Sequence, residues 1–515
     1  MQPLDPIDPR TAFTSRAVLD ANEPTVDKNK DAHITDLARE VAAEFSETTY
    51  APGIVRGLFQ LFDFVVLALL GFISAKMMGG ALIAGMHLPL LLSIAGAVLF
   101  GLFLLSVDGY SILDMNHLAP QIGRTIGAWT MVIGLFLLVF YLSQTPISAN
   151  RSWLGIWFLS GILTVSVIRA IESFLVRIWQ QNGRLERRAV IVGGGDPAAQ
   201  IITSLEAQEN NDIRICGIFD DRDDERSPPV VAGYPKLGTV DDLVEFSRLC
   251  KIDMLIVTIP VSAEKRVLQM LHKLWILPLD IHLSAHMNKM QFRRRTYSYV
   301  GNLPTVPVFA KPIANWGGLL KRVVDITVAS LSVVALSPLL IGTAIAIKLD
   351  SKGPVIFRQK RLGFNNEEVV IYKFRSLYHS QSDQTAQKSV TKNDSRVTKV
   401  GRFIRKTSID ELPQLFNVIL GSLSLVGPRP HVPRQQTNER LFEEVADGYM
   451  ARHKVKPGIT GWAQIHGWRG EIDDDDKLKQ RVQHDIYYIE NWSLALDLYI
   501  LIVTPFKLFS QDGAY

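Results

Sequence analysis

Cysteine is nearly absent: Cys216 and Cys250 are the only two in 515 residues and do not form a Cys-x-x-Cys pair. That excludes a disulfide framework and a thiolate zinc site and fits a reducing compartment, with both thiols expected in a core. An excess of one charge is also missing. The 55 Lys and Arg nearly balance 51 Asp and Glu for a net charge of +4, too little to ask for a nucleic-acid partner. A cleavable signal is not visible either, because residues 1–48 are polar, carry Pro3, Pro6, Pro9 and Pro24, and have no apolar h-region. They read as a disordered tail.

Long apolar runs are present. Hydrophobic residues make up 47% and charged residues 21%, the balance of membrane spans joined to soluble parts, and the length asks for several domains. Four stretches near 54–75, 82–106, 125–147 and 153–176 each approach the roughly 20 residues that cross a bilayer as helix, defining a four-helix transmembrane domain over 49–178. Arg56, Asp63 and Arg169 with Glu172 interrupt them and are expected near helix ends, where snorkelling is cheap. Arg177, Arg184, Arg187 and Arg188 crowd the exit of the fourth span, which places that end, and with an even count of spans the N-terminus, in the cytoplasm.

Residues 179–290 change to short β-branched runs, 189–192, 213–219 and 254–259, alternating with helical pattern. This alternation predicts a Rossmann-like α/β domain with a parallel sheet. Its first strand runs into Gly193-Gly194-Gly195-Asp196-Pro197-Ala198, and Asp220 ends the second, so Gly193, Gly195 and Asp220 are candidate nucleotide ligands. Glycines in such a turn also serve strand-to-helix packing alone. A linker over 291–318 contains Arg293-Arg294-Arg295 and leads to a fifth apolar run, Val323–Ile347, with Lys321 and Arg322 before it and Lys348, Lys352, Arg358, Lys360 and Arg361 after it. Positive flanks at both ends, with Ser337-Pro338 in the middle, predict a re-entrant helix that dips into one leaflet and returns.

Further on, Ser408-Ile409-Asp410-Glu411-Leu412-Pro413-Gln414 opens an amphipathic segment. With Asp410 as N-cap, Pro413 falls where its missing N–H is an orphan anyway, and the carboxylate faces the helix dipole. Lys373, Arg375, Arg402, Arg405 and Arg429 crowd the same region, more cationic donors than capping needs, as a diphosphate clamp requires.

These blocks resemble the bacterial polyprenyl-phosphate sugar-phosphotransferases, the monotopic phosphoglycosyl transferases. The resemblance covers the catalytic part, 319–515, through Lys321-Arg322-x-x-Asp325, Ser337-Pro338, Lys348-Leu349-Asp350-Ser351-x-Gly353-Pro354, Lys373-Phe374-Arg375-Ser376, Asp410-Glu411-Leu412-Pro413-Gln414, Gly427-Pro428-Arg429-Pro430 and Lys456-Pro457-Gly458-Ile459-Thr460-Gly461. The order of domains is similar to the long-chain branch that includes undecaprenyl-phosphate glucose phosphotransferases. Gly467-Trp468-Arg469-Gly470-Glu471, Asp485-x-Tyr487-Tyr488 and Ala514-Tyr515 fit that branch, while Leu377 and Phe416 replace its commoner Met and Trp.

The resemblance implies that Asp410 attacks the sugar-linked phosphate of a UDP-sugar, expels UMP and passes the phosphosugar to undecaprenyl phosphate, the first step of an exopolysaccharide or capsule repeat unit. Glucose is the expected sugar. It further implies Mg²⁺ at Glu411 with Asp410, phosphate contacts from Lys373, Arg375, Arg405 and Arg429, Asp485 as a further substrate contact, inner-membrane lipid as surroundings, and a homodimer. The acidic run 473–476 is expected to be a solvated loop. Two other classes compete: an NAD-dependent membrane-anchored epimerase or dehydratase, and a non-enzymatic assembly scaffold. The first lacks its Tyr-x-x-x-Lys pair, since Tyr234, the only tyrosine in 188–290, precedes Leu237 and Gly238.

Overall fold

A computed structural model describes residues 34–510 except 46–48, 78–86, 144–150, 209–210, 223–226, 260–263, 285–297, 301–302, 380–393, 434, 438–439, 447, 471 and 473. Expectations for the first 33 residues, Arg293-Arg294-Arg295, Glu471, Asp473 and Ala514-Tyr515 lie outside the described residues. The chain divides into two compact units, one of residues 47–187 with 208–214, the other of 1–46, 188–207 and 215–515. Helix α1, Asp36–Glu44, belongs to the second.

The first unit carries four helices long and apolar enough to cross a membrane: α2 (Pro52–Met77), α3 (His87–Ser106), α4 (Leu118–Leu142) and α5 (Arg151–Gln181). Tryptophans tie them together, with Trp153 Nε1 donating to Gly71 O at 2.9 Å and Trp129 Nε1 to Phe158 O at 3.1 Å. In an apolar solvent these rings need such acceptors inside the bundle. Asp63, Arg169 and Glu172 correct the sequence reading. They sit inside the bundle at 1%, 1% and 3% exposure, with Arg169 paired to both carboxylates.

In the second unit the α/β part consists of β1 (Arg187–Val192), α6 (Asp196–Glu206), β2 (Ile213–Phe219), β3 (Val230–Val231), β4 (Tyr234–Gly238), α7 (Val240–Leu249), β5 (Met254–Val257), α8 (Glu264–Leu274), β6 (Asp280–Ser284), β7 (Ser298–Val300) and β8 (Leu303–Phe309). They form one eight-stranded sheet in the order β3-β4-β2-β1-β5-β6-β8-β7, parallel where β1 meets β5 and β5 meets β6 and antiparallel at β6/β8 and β7/β8. Every residue of β5 is buried, as in a parallel sheet covered on both faces. Two expected boundaries move. The tail is not all loose, because α1 puts Ala38 and Ala42 into the sheet's core and Thr35 Oγ1 donates to Leu237 O at 2.9 Å. The linker ends in β7 and β8, both strands of the sheet.

The C-terminal part begins with α9 (Asn315–Ala335) and α10 (Ser337–Asp350), bent by 62° at their junction. Pro338 stands in the first turn of α10, where its missing N–H is not needed, and Ser337 Oγ donates to Val334 O at 2.8 Å. A hairpin of β9 (Ile356–Leu362) and β10 (Glu368–Phe374) follows. After it come α11 (Lys399–Lys406), α12 (Gln414–Leu420), β11 (Ser424–Val426), β12 (Gln436–Thr437), β13 (Arg440–Leu441), α13 (Phe442–Val445), β14 (Gly458–Thr460), α14 (Trp462–Ile465), α15 (Asp475–Glu490) and α16 (Leu494–Ser510). The acidic run therefore opens α15, where Asp475 pairs with Arg440. Ala329, Ile371, Val418, Leu425, Tyr488 and Ile500 share a core joining α9, β10, α12, β11, α15 and α16. Lys321 and Arg322 are drawn into it, Lys321 pairing with Asp497 at 2.7 Å and Arg322 donating to Ile419 O at 2.7 Å.

Candidate active site

The floor of the site is a crossing of two chains that only glycine permits. β11 and β14 run parallel, Gly427 N donates to Thr460 O and Gly458 N to Pro428 O, both at 2.9 Å. A Cβ on Gly427 would stand 2.4 Å from Lys456 O, and one on Gly458 2.1 Å from Gly427 N, so two glycine-containing motifs far apart in sequence are one contact. That contact projects Arg429. Asp325 fastens the strand from below, accepting from Ser424 Oγ at 2.8 Å and Leu425 N at 3.1 Å.

Asp410 and Glu411 sit in a single 3-10 turn, Ile409–Glu411, entered through Ser408 in the left-handed region (φ 57°). The expected N-cap is thereby corrected: α12 starts only at Gln414, with Pro413 at its cap and no capping side chain. Proline at 413 ends the 3-10 turn because it cannot donate onward, and the strained Ser408 is held by Arg469 Nη2 donating to its hydroxyl at 2.6 Å.

The two carboxylates differ in their surroundings. Glu411 accepts from Lys373 Nζ at 3.0 Å and from both Nη atoms of Arg429, one at 3.2 Å. Burial alone would raise its pKa, but Arg429 and Lys373 outweigh it and hold Glu411 well below the usual carboxylate range. Asp410 accepts no hydrogen bond among the described residues. Burial and the neighbouring Glu411 push its pKa up to about 6 against the pull of Lys373, Arg405 and Arg429. Lys373 itself is lowered, by burial first and Arg429 next.

The structure thus gathers Lys373, Arg405 and Arg429 about Asp410 and Glu411 and leaves three expected members elsewhere, Arg402 being exposed on α11. Arg375 is only 3% exposed and donates to the carbonyls of Ile347, Ser351 and Lys352. It closes the C-terminal end of α10, so its place in a phosphate clamp is corrected. Asp485 faces Arg452 at 2.7 Å instead of the carboxylate pair, and Arg452 in turn donates to Arg429 O at 2.8 Å and to the His431 ring. From the same helix Arg481 holds the carbonyls of Trp468 and Gly470 at 2.8 and 2.9 Å, on either side of Arg469.

Two cations escaped the sequence reading as site members. Arg361 lies on the same face of the hairpin as Lys373, both at odd positions of paired strands, and period two would have found it. Burial, then Arg429, lower it to about 10. Arg469 acts on Glu411 and Asp410 from the loop before α15, and only the tertiary fold brings it there. Among the described residues no group of three or more His, Cys, Asp or Glu could hold a metal. The adjacent pair still fits magnesium, which takes one or two carboxylates and completes its shell with substrate phosphate and water.

In the α/β part, Gly193 and Gly195 take positive φ (98° and 76°), so the turn needs them for its shape. Asp220 folds back over it, accepting from Gly194 N at 2.7 Å, while Arg222 Nη2 donates to Gly194 O at 2.8 Å. Burial alone would raise Asp220, yet Arg222 and the Gly194 amide keep it lowered.

Cations gathered on a carboxylate pair, beside a bent apolar helix pair, define a membrane-associated enzyme of phosphate-linked groups. The chain belongs to the bacterial sugar transferases, whose family model matches residues 316–511. A second model, a CoA-binding domain, matches 106–285. The chain is 35% identical over 426 residues to an undecaprenyl-phosphate glucose phosphotransferase of Komagataeibacter xylinus, covering 82% of this chain and 78% of that one. To UDP-glucose:undecaprenyl-phosphate glucose-1-phosphate transferases it is 33% identical in Escherichia coli strain K12 (84% and 90% covered) and 32% identical in Xanthomonas campestris pv. campestris (76% and 80%).

Proposed function

We propose that this protein transfers glucose-1-phosphate from UDP-glucose to undecaprenyl phosphate, with UMP as the leaving product, in two displacements at Asp410. The reading is carried by the split between the carboxylates: Glu411 is pinned by Arg429 and Lys373, while Asp410 has no hydrogen-bond partner among the described residues and a pKa of about 6. Ionised Asp410 attacks the phosphorus bearing the sugar, an aspartyl P–O bond forms, and the diphosphate bridge breaks with its electron pair leaving on UMP. An oxygen of the polyprenyl phosphate then attacks the same phosphorus and returns the Asp410 carboxylate. Arg405, Arg429 and Lys373 bind the diphosphate oxygens, and Arg361 and Arg469 extend that positive field. Mg²⁺, held by Glu411 and Asp410, supplies charge neutralisation on the diphosphate when bound.

The relatives' names support the substrates. The rest of the reading is an inner-membrane enzyme, working as a homodimer with its catalytic part cytoplasmic, α9 and α10 re-entering one leaflet, and the product opening an exopolysaccharide or capsule repeat. The α/β part is Rossmann-like with a structural or regulatory role, since Asp220 and Arg222 occupy the space at its glycine turn. The test is wild-type enzyme given labelled UDP-glucose without lipid, quenched and digested. A phosphoglucose adduct on Asp410 and release of UMP are expected, with lipid-linked product only when polyprenyl phosphate is added. An Asp410→Asn enzyme that still turns over, checked for deamidation, would overturn the covalent route.

A further inference from the structure

The membrane unit holds ionisable groups that sugar transfer does not use. Arg169 bridges Asp63 and Glu172, and the Tyr110 hydroxyl donates to Asp63 Oδ2 at 2.8 Å. Asp63 lies about 16 Å along α2 from Pro52 at 1.5 Å per residue, too deep for its short side chain to reach water. Two carboxylates and one guanidinium leave a single uncompensated negative charge sealed among apolar helices, a state that calls for a counter-charge.

The unpartnered atoms show what kind. Each carboxylate gives one oxygen to Arg169, while Asp63 Oδ1 and Glu172 Oε1 have no partner among the described residues, and the same holds for the Ser173 hydroxyl, both amide atoms of Gln121 and Arg169 Nε. Gln121 and Ser173 are 0% and 4% exposed. Ser173 stands one turn from Arg169 on the same face of α5. Gln121 reaches the same level: Gly161 of α5 lies against the Trp129 ring of α4, and about two turns from that contact along the antiparallel helices come Arg169 and Gln121. A proton on one carboxylate would balance the charge but serve one oxygen, whereas a cation serves several oxygen donors at once.

Access is also built in. A cavity of about 620 Å³ in this unit is lined by Asp108, Asp114, Glu186 and Asp212 against Arg56, with Tyr110 in its wall. Asp114, Asp212 and Glu186 are ion-paired with Arg124, Arg187 and Arg214, so the wall is polar and close to neutral and offers an aqueous path as far as Tyr110. We propose that the Asp63–Glu172–Gln121–Ser173 oxygens bind one monovalent alkali cation, sodium first, reached from this cavity past Tyr110.

Full-length protein in zwitterionic nanodiscs should bind radioactive sodium saturably, about one ion per chain by this charge count. Thermal unfolding should move upward in sodium chloride and not in choline chloride of equal ionic strength. Asp63→Asn should abolish binding. Gln121→Leu, which keeps every charge and guards against a misfolded Asp63 variant, should weaken binding by at least about tenfold. The proposal is overturned by no saturable sodium binding, by equal binding in Gln121→Leu, or by an unfolding temperature that follows pH and ignores sodium, which would assign the counter-charge to a proton.

Discussion

Asp410 and Glu411 are neighbours in sequence whose carboxyl groups are shifted in opposite directions, and the difference comes from what touches them. Folded Asp410 is raised from 3.8 to about 6, so its neutral form favours the fold: that stability is fully present below the unfolded value and is lost as pH rises through 6. Asp410→Asn should therefore unfold later than wild type at pH 8, by about 3 kcal/mol at most, with the gap closing near pH 4, while turnover is lost at every pH. Thermal unfolding at the two pH values checks the first part. The wild-type rate of adduct formation should fall about tenfold per unit below pH 6, as expected when the ionised form reacts. Asp485 also acts at this scale but at one remove. Asp485→Ala leaves Arg452 buried without its counter-ion and should cost about 3–5 kcal/mol, measured by urea unfolding, whereas Asp485→Glu should regain part of both stability and rate.

Among elements, the bend between α9 and α10 is what Ser337-Pro338 foretold. The basic flank used for the same reading has another occupation, because Lys321 is buried against Asp497 and Arg322 holds the end of α12. The break itself therefore carries the re-entrant proposal. Cysteines placed at Trp316 and Lys352 should label from one side of the membrane, and labelling from opposite sides would refute re-entry. Pro338→Ala restores a backbone N–H and should bias the pair toward a straight helix, read as opposite-side labelling and reduced transfer. Arg375 makes the same point in reverse. Its place two residues after Lys373 suggested a clamp, but β10 ends at Phe374, so the alternation that would keep both on one face stops there and Arg375 closes α10.

At the scale of the second unit, catalytic and α/β parts are interlocked more tightly than a linker between domains implies. Asn365 Nδ2 donates to Ser247 O at 3.1 Å, Ala451 joins the core under the sheet, and Lys454 sits over the Trp275 ring at 4.6 Å. Burial lowers Lys454 to about 7 against the pull of Glu490. A fragment of 315–515 should still transfer in detergent, because every proposed reacting group lies within it. It should nevertheless melt below a fragment of 188–515, since it bares the surface that Trp275 and Phe309 cover. Equal melting temperatures would show the interface to be energetically idle.

The sequence by itself determined the spans, the parallel strands, the helix break and the carboxylate pair, since apolar length, β-branched alternation, proline and adjacent charges act locally. It did not determine that Gly427 and Gly458 meet, that Arg361 and Arg469 join the site, or that Asp63 and Arg169 turn inward. It also misplaced the helix start at Asp410, where the left-handed Ser408 and its bond from Arg469 impose a 3-10 turn. Those outcomes depend on which side chains distant segments bring together, and burial and charge are settled only when the chain closes on itself.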